Sequence, residues 1–346
     1  MRILVVHPAP QFSVADVHIG WVEALKELGQ QVYEYRLDDR LALYGSALVE
    51  TNYFDENGYR KFRRALTDDQ AAQLAVNGLL SACYQSWPDV VVLVSAFFIP
   101  ADMMDLLRSR GHKVVLLCTE EPYELTRELA LAEHADVTLL NDPTHLESFA
   151  AVTKARYLPH AYRPSLHTPG RALPHLESDL AFVGTGYPSR VEFFEAMDLD
   201  GLDVLLAGMW KHLDDDSPLQ PLVAHDPDEC LDNEQTVEVY RSARIGMNLY
   251  RREAQRPELS EGWAMGPREV EMSATGLFFL RDPRGEGDEV LPMLPSFSDP
   301  SEASELVRWW LAHPDERADA ALKAREAIAD RTFTKNAAEM LRLLDQ

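Results

Sequence analysis

Residues 90–117, VVVLVSAFFIPADMMDLLRSRGHKVVLL, hold two continuous apolar runs, Val90–Val94 and Val114–Leu117, around a helical stretch from Met103 to Arg110 that Gly111 closes. A strand without polar alternation is buried on both faces, the condition of a strand inside a parallel sheet covered by helices. The same alternation runs outward from this unit. Upstream lie a strand Ile3–Val6, a helix Val17–Leu28 and a strand Gln31–Tyr35. Downstream lie a helix over Tyr123–His134, a strand Val137–Leu140, a helix opened by Asn141-Asp142-Pro143, and a short strand Ala155–Leu158. This is a doubly wound α/β layer.

Residues 159–174, PHAYRPSLHTPGRALP, are dense in proline and poor in apolar periodicity, as a linker should be. A second α/β series follows, with strands Leu180–Val183, Val204–Leu206, Ile245–Leu249 and Leu277–Leu280. Helices over Ser189–Met197, Glu234–Ser242 and Arg268–Thr275 separate those strands, and three more close the chain at Glu302–Ala312, Asp315–Ala329 and Asn336–Leu344. The expected division is a first domain over 1–160, a linker over 161–177, a second domain over 178–330 and a closing helix over 331–346. The stretch Leu41–Thr67 reads as polar and irregular, either a pocket or lid loop or an insertion without chemistry.

Against 33 Lys and Arg stand 57 Asp and Glu, a net charge of −24. Such a chain repels a phosphate backbone or an anionic membrane unless cations gather at one place. The Arg60-Lys61-Arg63-Arg64 cluster is the conspicuous gathering in the first domain, read first as a solvated helix face and second as a nucleic-acid contact. Cys83, Cys118 and Cys230 give neither a zinc pattern nor a disulfide framework, which fits a reducing compartment. No apolar run approaches the roughly 18 residues of a membrane helix, and the N-terminus has no basic leader, so a soluble cytoplasmic protein is expected.

Several constellations can carry chemistry. In SDLAFVGTGYPSR, residues 178–190, an apolar strand meets Gly184-Thr185-Gly186 and then a helix whose first turn bears Arg190. Backbone N–H groups at such a turn can cradle a phosphate, although a lone Gly-x-Gly is more often a plain tight turn. The third glycine of a dinucleotide fingerprint is missing, which weighs against a nicotinamide-dependent oxidoreductase. In GPREVEMSATG, residues 266–276, Arg268 and Glu271 share a helix face at i and i+3. There a carboxylate can take both hydroxyls of a ribose and a guanidinium can hold a phosphate; the alternative is a solvated ion pair. Lys211 and the run Asn248-Leu249-Tyr250-Arg251 stand at the carboxyl ends of strands, where open α/β sheets bind ligands. Lys211 and Arg251 are equally readable as surface cations. Glu120 and Glu121 follow a buried strand at the cleft edge, as functional carboxylates or as helix caps, and His7 and His18 are potential bases or hydrogen-bonded loop residues. Asp strings at 198–200, 214–216 and 226–228 are expected by chance in so acidic a chain, and no metal is predicted.

The ordered combination LCTEEPYE (117–124), ARYLPHAYRPSLHTP (155–169), SDLAFVGTGYPSR and PREVEMSATGLFFL (267–280), with closing helices through HPDERADAALKAREAI (313–328), resembles glycosyltransferases of the GT-B fold. Among them it is most similar to the CgeB-like group, named for a spore maturation protein, over most of residues 85–345. The resemblance implies two Rossmann-like doubly wound domains facing a cleft, with C-terminal helices packing back toward the first. It implies a nucleoside-diphosphate sugar as co-substrate, with no other cofactor. Glu271 falls on the family's ribose contact, Arg190 and Lys211 would hold the diphosphate, and Gly184 and Gly186 would permit the approach. Thr185, Asn248, Tyr250 and Arg268 complete the expected donor set, and residues 285–289 match a small loop bordering the donor in some relatives. Where retaining relatives carry another carboxylate, eight residues before the ribose glutamate, this chain has Trp263, with Glu261 two residues earlier. Inverting chemistry would need a base from His7, His18, Glu120 or Glu121; retaining chemistry would need none. Relatives act on small molecules, glycans, proteins or, in bacteriophages, modified DNA bases. A nucleotide-sugar-binding or assembly protein without turnover is the competing reading.

Overall fold

The computed structural model describes residues 1–9, 14–254 and 257–345. In chain order the first domain contains β1 (Arg2–Val6), α1 (Ala15–Glu27), β2 (Gln31–Tyr35), α2 (Leu37–Gly45), β3 (Leu48–Phe54), β4 (Arg60–Arg64), α3 (Asp68–Ser86) and β5 (Val90–Val94). It continues with α4 (Ala101–Ser109), β6 (Lys113–Cys118), α5 (Leu125–Ala132), β7 (Val137–Leu140), α6 (Leu146–Ala150) and β8 (Lys154–Tyr157). Six of these strands form one sheet in the order β2-β1-β5-β6-β7-β8. All its pairings are parallel, with Val92 of β5 in register with Val5 on one side and Val115 on the other. Every residue of β5 is buried, because both faces of the sheet carry apolar layers.

The stretch read as irregular is ordered differently: it contributes the end of α2 and an antiparallel ribbon of β3 and β4. The ribbon turns through residues 55–58, where the Asp55 carboxylate accepts the backbone N–H groups of Asn57 and Tyr59. All of β4 and all but one residue of β3 are exposed, so no buried face imposes a readable alternation. The Arg60-Lys61-Arg63-Arg64 cluster is therefore part of a strand, not a helix face.

After the linker come β9 (Ser178–Val183), α7 (Pro188–Ala196), β10 (Val204–Ala207), α8 (Asn233–Ser242), β11 (Ala243–Asn248), α9 (Pro267–Thr275) and β12 (Phe279–Arg281). The helices α10 (Gly285–Val290), α11 (Pro300–Ala312), α12 (Pro314–Ala327) and α13 (Phe333–Leu344) complete the chain. The second sheet runs β10-β9-β11-β12, again parallel throughout. Residues 285–289, matched above to a loop, form most of α10. Its buried Glu286 accepts a hydrogen bond from Tyr157 of β8 and pairs with Arg331, tying the two domains together. The last helix returns to the first domain: Phe333, Ala337, Met340, Leu343 and Leu344 join the apolar layer under β1 and β5. Gly20 of α1 makes that seat, since a Cβ there would stand 2.3 Å from the Phe333 ring.

Strand order reverses between β1 and β5 in the first sheet and between β9 and β11 in the second. Open parallel sheets place their ligand crevices at the carboxyl ends of strands at such reversals.

Candidate functional site

A cleft of about 320 Å³ lies between the domains. Its second-domain wall is built at the β9/β11 reversal, from Gly184 and Thr185 after β9, Asn248 to Arg251 at the end of β11, and Arg268 and Glu271 on α9. Gly208, with φ +103°, lets the turn after β10 close on this wall, since a Cβ there would stand 2.4 Å from the Gly184 carbonyl oxygen. Gly186 serves packing, because its missing Cβ makes room for the buried Trp210 indole.

Arg190 rises from the first turn of α7 and stitches the wall together. Its Nη1 donates to the Thr185 carbonyl at 3.0 Å and its Nη2 to that of Leu249 at 2.6 Å, while its Nε is buried without a partner. The guanidinium lies over the rings of Phe182 and Tyr187, each 5.2 Å away. Burial lowers its pKa to about 10, so it stays charged at neutral pH.

Two further guanidiniums converge on the cleft. Arg251 pairs with Glu120 across the cleft at 3.1 Å and lies 4.2 Å from the Tyr123 ring. Arg284 donates to the Tyr123 hydroxyl at 2.8 Å, stands 3.7 Å from Asp142 and covers the Tyr250 ring at 4.0 Å. The sequence reading did not select Arg284; the signal was its place just beyond the carboxyl end of β12. Lys211, expected at the diphosphate, is exposed and outside the cleft lining, because the turn after β10 gives its inward position to Trp210.

On the first-domain wall, Glu120 and Glu121 follow β6. Neither caps α5. Glu128, from inside that helix, instead holds the loop after β6, accepting the backbone N–H groups of Thr119 and Glu120 at 2.9 and 3.0 Å. Glu121 contacts His145 through Oε1, and its buried Oε2 has no hydrogen-bond partner. Burial, with Asp142 nearby, pushes its pKa up to about 8. His7 and His18 sit elsewhere, edge to face with ring centroids 4.9 Å apart under the β1 end of the sheet, and neither lines the cleft. Burial lowers both pKa values, that of His18 to about 4, so both imidazoles are neutral.

Among the described residues, one group of His and carboxylate side chains could be compared with a metal site: Asp16, His167 and Glu271, with one atom of each within 4.8 Å of the others. Arg163 and Arg268 already pair with the two carboxylates at 2.6 Å each, and His167 Nδ1 accepts the Arg163 backbone N–H at 3.1 Å. The proton of this neutral ring is therefore on Nε2, which suits a donor better than a cation ligand. The Asp strings lie outside the cleft, and two of them close their own turns, Asp198 accepting from the Asp200 N–H and Asp226 from the Asp228 N–H.

Residues 190–342 match a family model described as glycosyl transferase-like. No curated protein matches the sequence. Among solved structures, sucrose-phosphate synthase from Thermosynechococcus elongatus superposes with a TM-score of 0.66 at 15% identity, covering 100% of this chain and 98% of that one. Trehalose-6-phosphate synthase OtsA gives 0.65 at 12% identity, with 100% and 99% covered. HepE from Anabaena, in complex with UDP-glucose, gives 0.59 at 10% identity, with 99% of each chain covered. The chain has the GT-B fold, and residues 190–342 of it are similar to the glycosyl transferase-like family. No helix among the described residues is long and apolar enough to cross a membrane.

Proposed function

We propose that the protein transfers a glycosyl group from a nucleoside-diphosphate sugar held by the second domain to an acceptor bound against the first. The observation that carries this reading is the convergence of Arg190, Arg251 and Arg284 on one cleft at the β9/β11 reversal. Substitution at an anomeric carbon expels a nucleoside diphosphate, and negative charge grows on its leaving oxygen. Fixed guanidiniums in a cleft shielded from water stabilise that charge without a metal. Glu271, buried midway along α9 and oriented by Arg268 at 2.6 Å, takes the ribose. A complex of a structural neighbour with UDP-glucose supports a sugar nucleotide as the ligand of this frame. On the acceptor side, Glu120 and Glu121 line the cleft, and Glu121 is the stronger candidate for proton exchange because one of its oxygens is uncommitted.

The test is binding followed by turnover. A panel of nucleoside-diphosphate sugars should raise the thermal midpoint selectively, since a ligand of the native state stabilises by mass action. The best donor should be hydrolysed slowly, releasing its diphosphate. Glu271→Ala should weaken that donor about tenfold or more without changing the circular dichroism, and unchanged affinity would remove Glu271 from the site. Stabilisation with neither hydrolysis of the donor nor transfer to any supplied acceptor would favour a nucleotide-binding protein over an enzyme.

A further inference from the structure

Asp16, His167 and Glu271 belong to three separate parts of the chain: the first turn of α1, the linker and α9. All three are buried. Carboxylates this close and away from water repel one another unless donors stand around them. Arg268 and Arg163, the latter shared with Glu23, supply one donor each to these two carboxylates, and further hydrogen-bonding capacity remains to be filled. His167 shows this most clearly. The residue is 1% exposed, its Nδ1 is taken by the Arg163 backbone N–H, and its Nε2 has no partner. A buried N–H without an acceptor is a standing cost that a ligand oxygen would relieve.

The complement of two carboxylates and one N–H is a vicinal diol. Its two hydroxyls donate one to each carboxylate, and one of its oxygens accepts from Nε2–H. A divalent cation fits worse, since it would need the lone pair that the ring's tautomer has replaced with a proton. Asp16 and Glu271 line the cleft, so the diol of a bound nucleotide can reach them.

We infer that Asp16 and His167 join Glu271 in a clasp for the ribose diol of the nucleotide, gripping it from the first domain and the linker as well as from the second. The inference rests on the nucleotide-sugar reading above. It makes the nucleotide, and not the sugar alone, the ligand that holds the two domains together.

Calorimetric titration of the full chain tests it, with UDP, ADP, GDP and CDP each beside its 2′-deoxy counterpart, and with UDP-glucose. The diphosphate that binds should bind about tenfold or more tightly than its deoxy form, the worth of one hydrogen bond to a charged group. Asp16→Asn keeps an oxygen for Arg163, and His167→Asn keeps an acceptor for the Arg163 N–H while removing the Nε2 donor. Each should retain the wild-type circular dichroism and cut the ribose discrimination to about twofold. Unchanged discrimination in both variants would overturn the clasp while leaving the nucleotide reading intact. Variants that lose affinity for UDP-glucose but not for UDP would overturn the ribose assignment and place the sugar's diol there. Stoichiometric zinc binding abolished by His167→Asn would overturn it in favour of a metal. Wild-type protein that binds no nucleotide would overturn the reading and the clasp together.

Discussion

Glu121 shows how burial sets chemistry at a single residue. Its carboxyl is held protonated up to about pH 8, whereas in the unfolded chain it ionises near 4.5. Folding therefore retains a proton that the unfolded chain sheds. The group's stability contribution is complete below 4.5 and is lost as pH rises through 8. Glu121→Gln keeps a donor for His145 and carries no such penalty. In urea titrations its stability relative to wild type should climb from pH 4.5 to 8 and level off above, with a span on the order of 3 to 5 kcal/mol. A pH-independent difference would show that the carboxyl is ionised in the native state. The neutral histidines act in the opposite sense. His18 and His167 have pKa values lowered from 6.5 to about 4, so their contribution is complete above 6.5 and drains away as pH falls toward 4. The place of Arg190, Arg268 and Glu271 in the cleft lining was legible because helix spacing fixes the direction of a side chain. The placing of Lys211 outside the cleft and of Arg284 in it was not, because whether a cation after a strand turns inward depends on what the neighbouring turn buries. Here Trp210 fills the space that Lys211 would need.

At the scale of elements, strands and helices were legible where one face or both faces are buried. β5, with every residue buried, and α9, with its apolar stripe, declare themselves in composition. The β3–β4 ribbon does not, since nearly all its side chains face water and no period is selected. The same exposure has an energetic consequence. The ribbon contributes no residue to any apolar layer, and its ends are already joined, the Ala65 N–H donating to the Ala47 carbonyl at 2.7 Å. Replacing residues 48–64 by a short Gly-Asn turn should leave the thermal midpoint within about 2 °C of wild type, as expected when little apolar area is lost. Donor affinity should likewise be unchanged. A much larger loss of stability would mean that the ribbon covers part of the molecule. Gly20→Ala at the α1–α13 contact is the contrasting case. Its new methyl meets the Phe333 ring, and the overpacking should cost about 1–3 kcal/mol.

At the scale of the whole molecule, the two parallel sheets were legible from the alternation of apolar runs and helices, and the return of the closing helix from the family resemblance, but the polar bonds that join the domains were not. Contacts between domains depend on residues distant in sequence, and no local period records them. The Asp142 carboxylate accepts the Ala264 backbone N–H at 2.8 Å and lies 3.7 Å from the Arg284 guanidinium. Glu286 receives the Tyr157 hydroxyl, the Met265 backbone N–H at 2.8 Å and the Arg331 guanidinium. Breaking one partner of such a buried charged set costs about 3–5 kcal/mol, because the other charge is left without compensation. With these bonds intact, the domains should unfold in one calorimetric transition, the signature of a single cooperative unit. Asp142→Ala combined with Glu286→Ala should divide that transition into two. A sugar nucleotide added to the double variant should then raise chiefly the transition of the second domain, which carries most of the donor wall. One transition that merely shifts downward would place the coupling in the returning α13 helix, whose apolar side chains belong to the first domain's core.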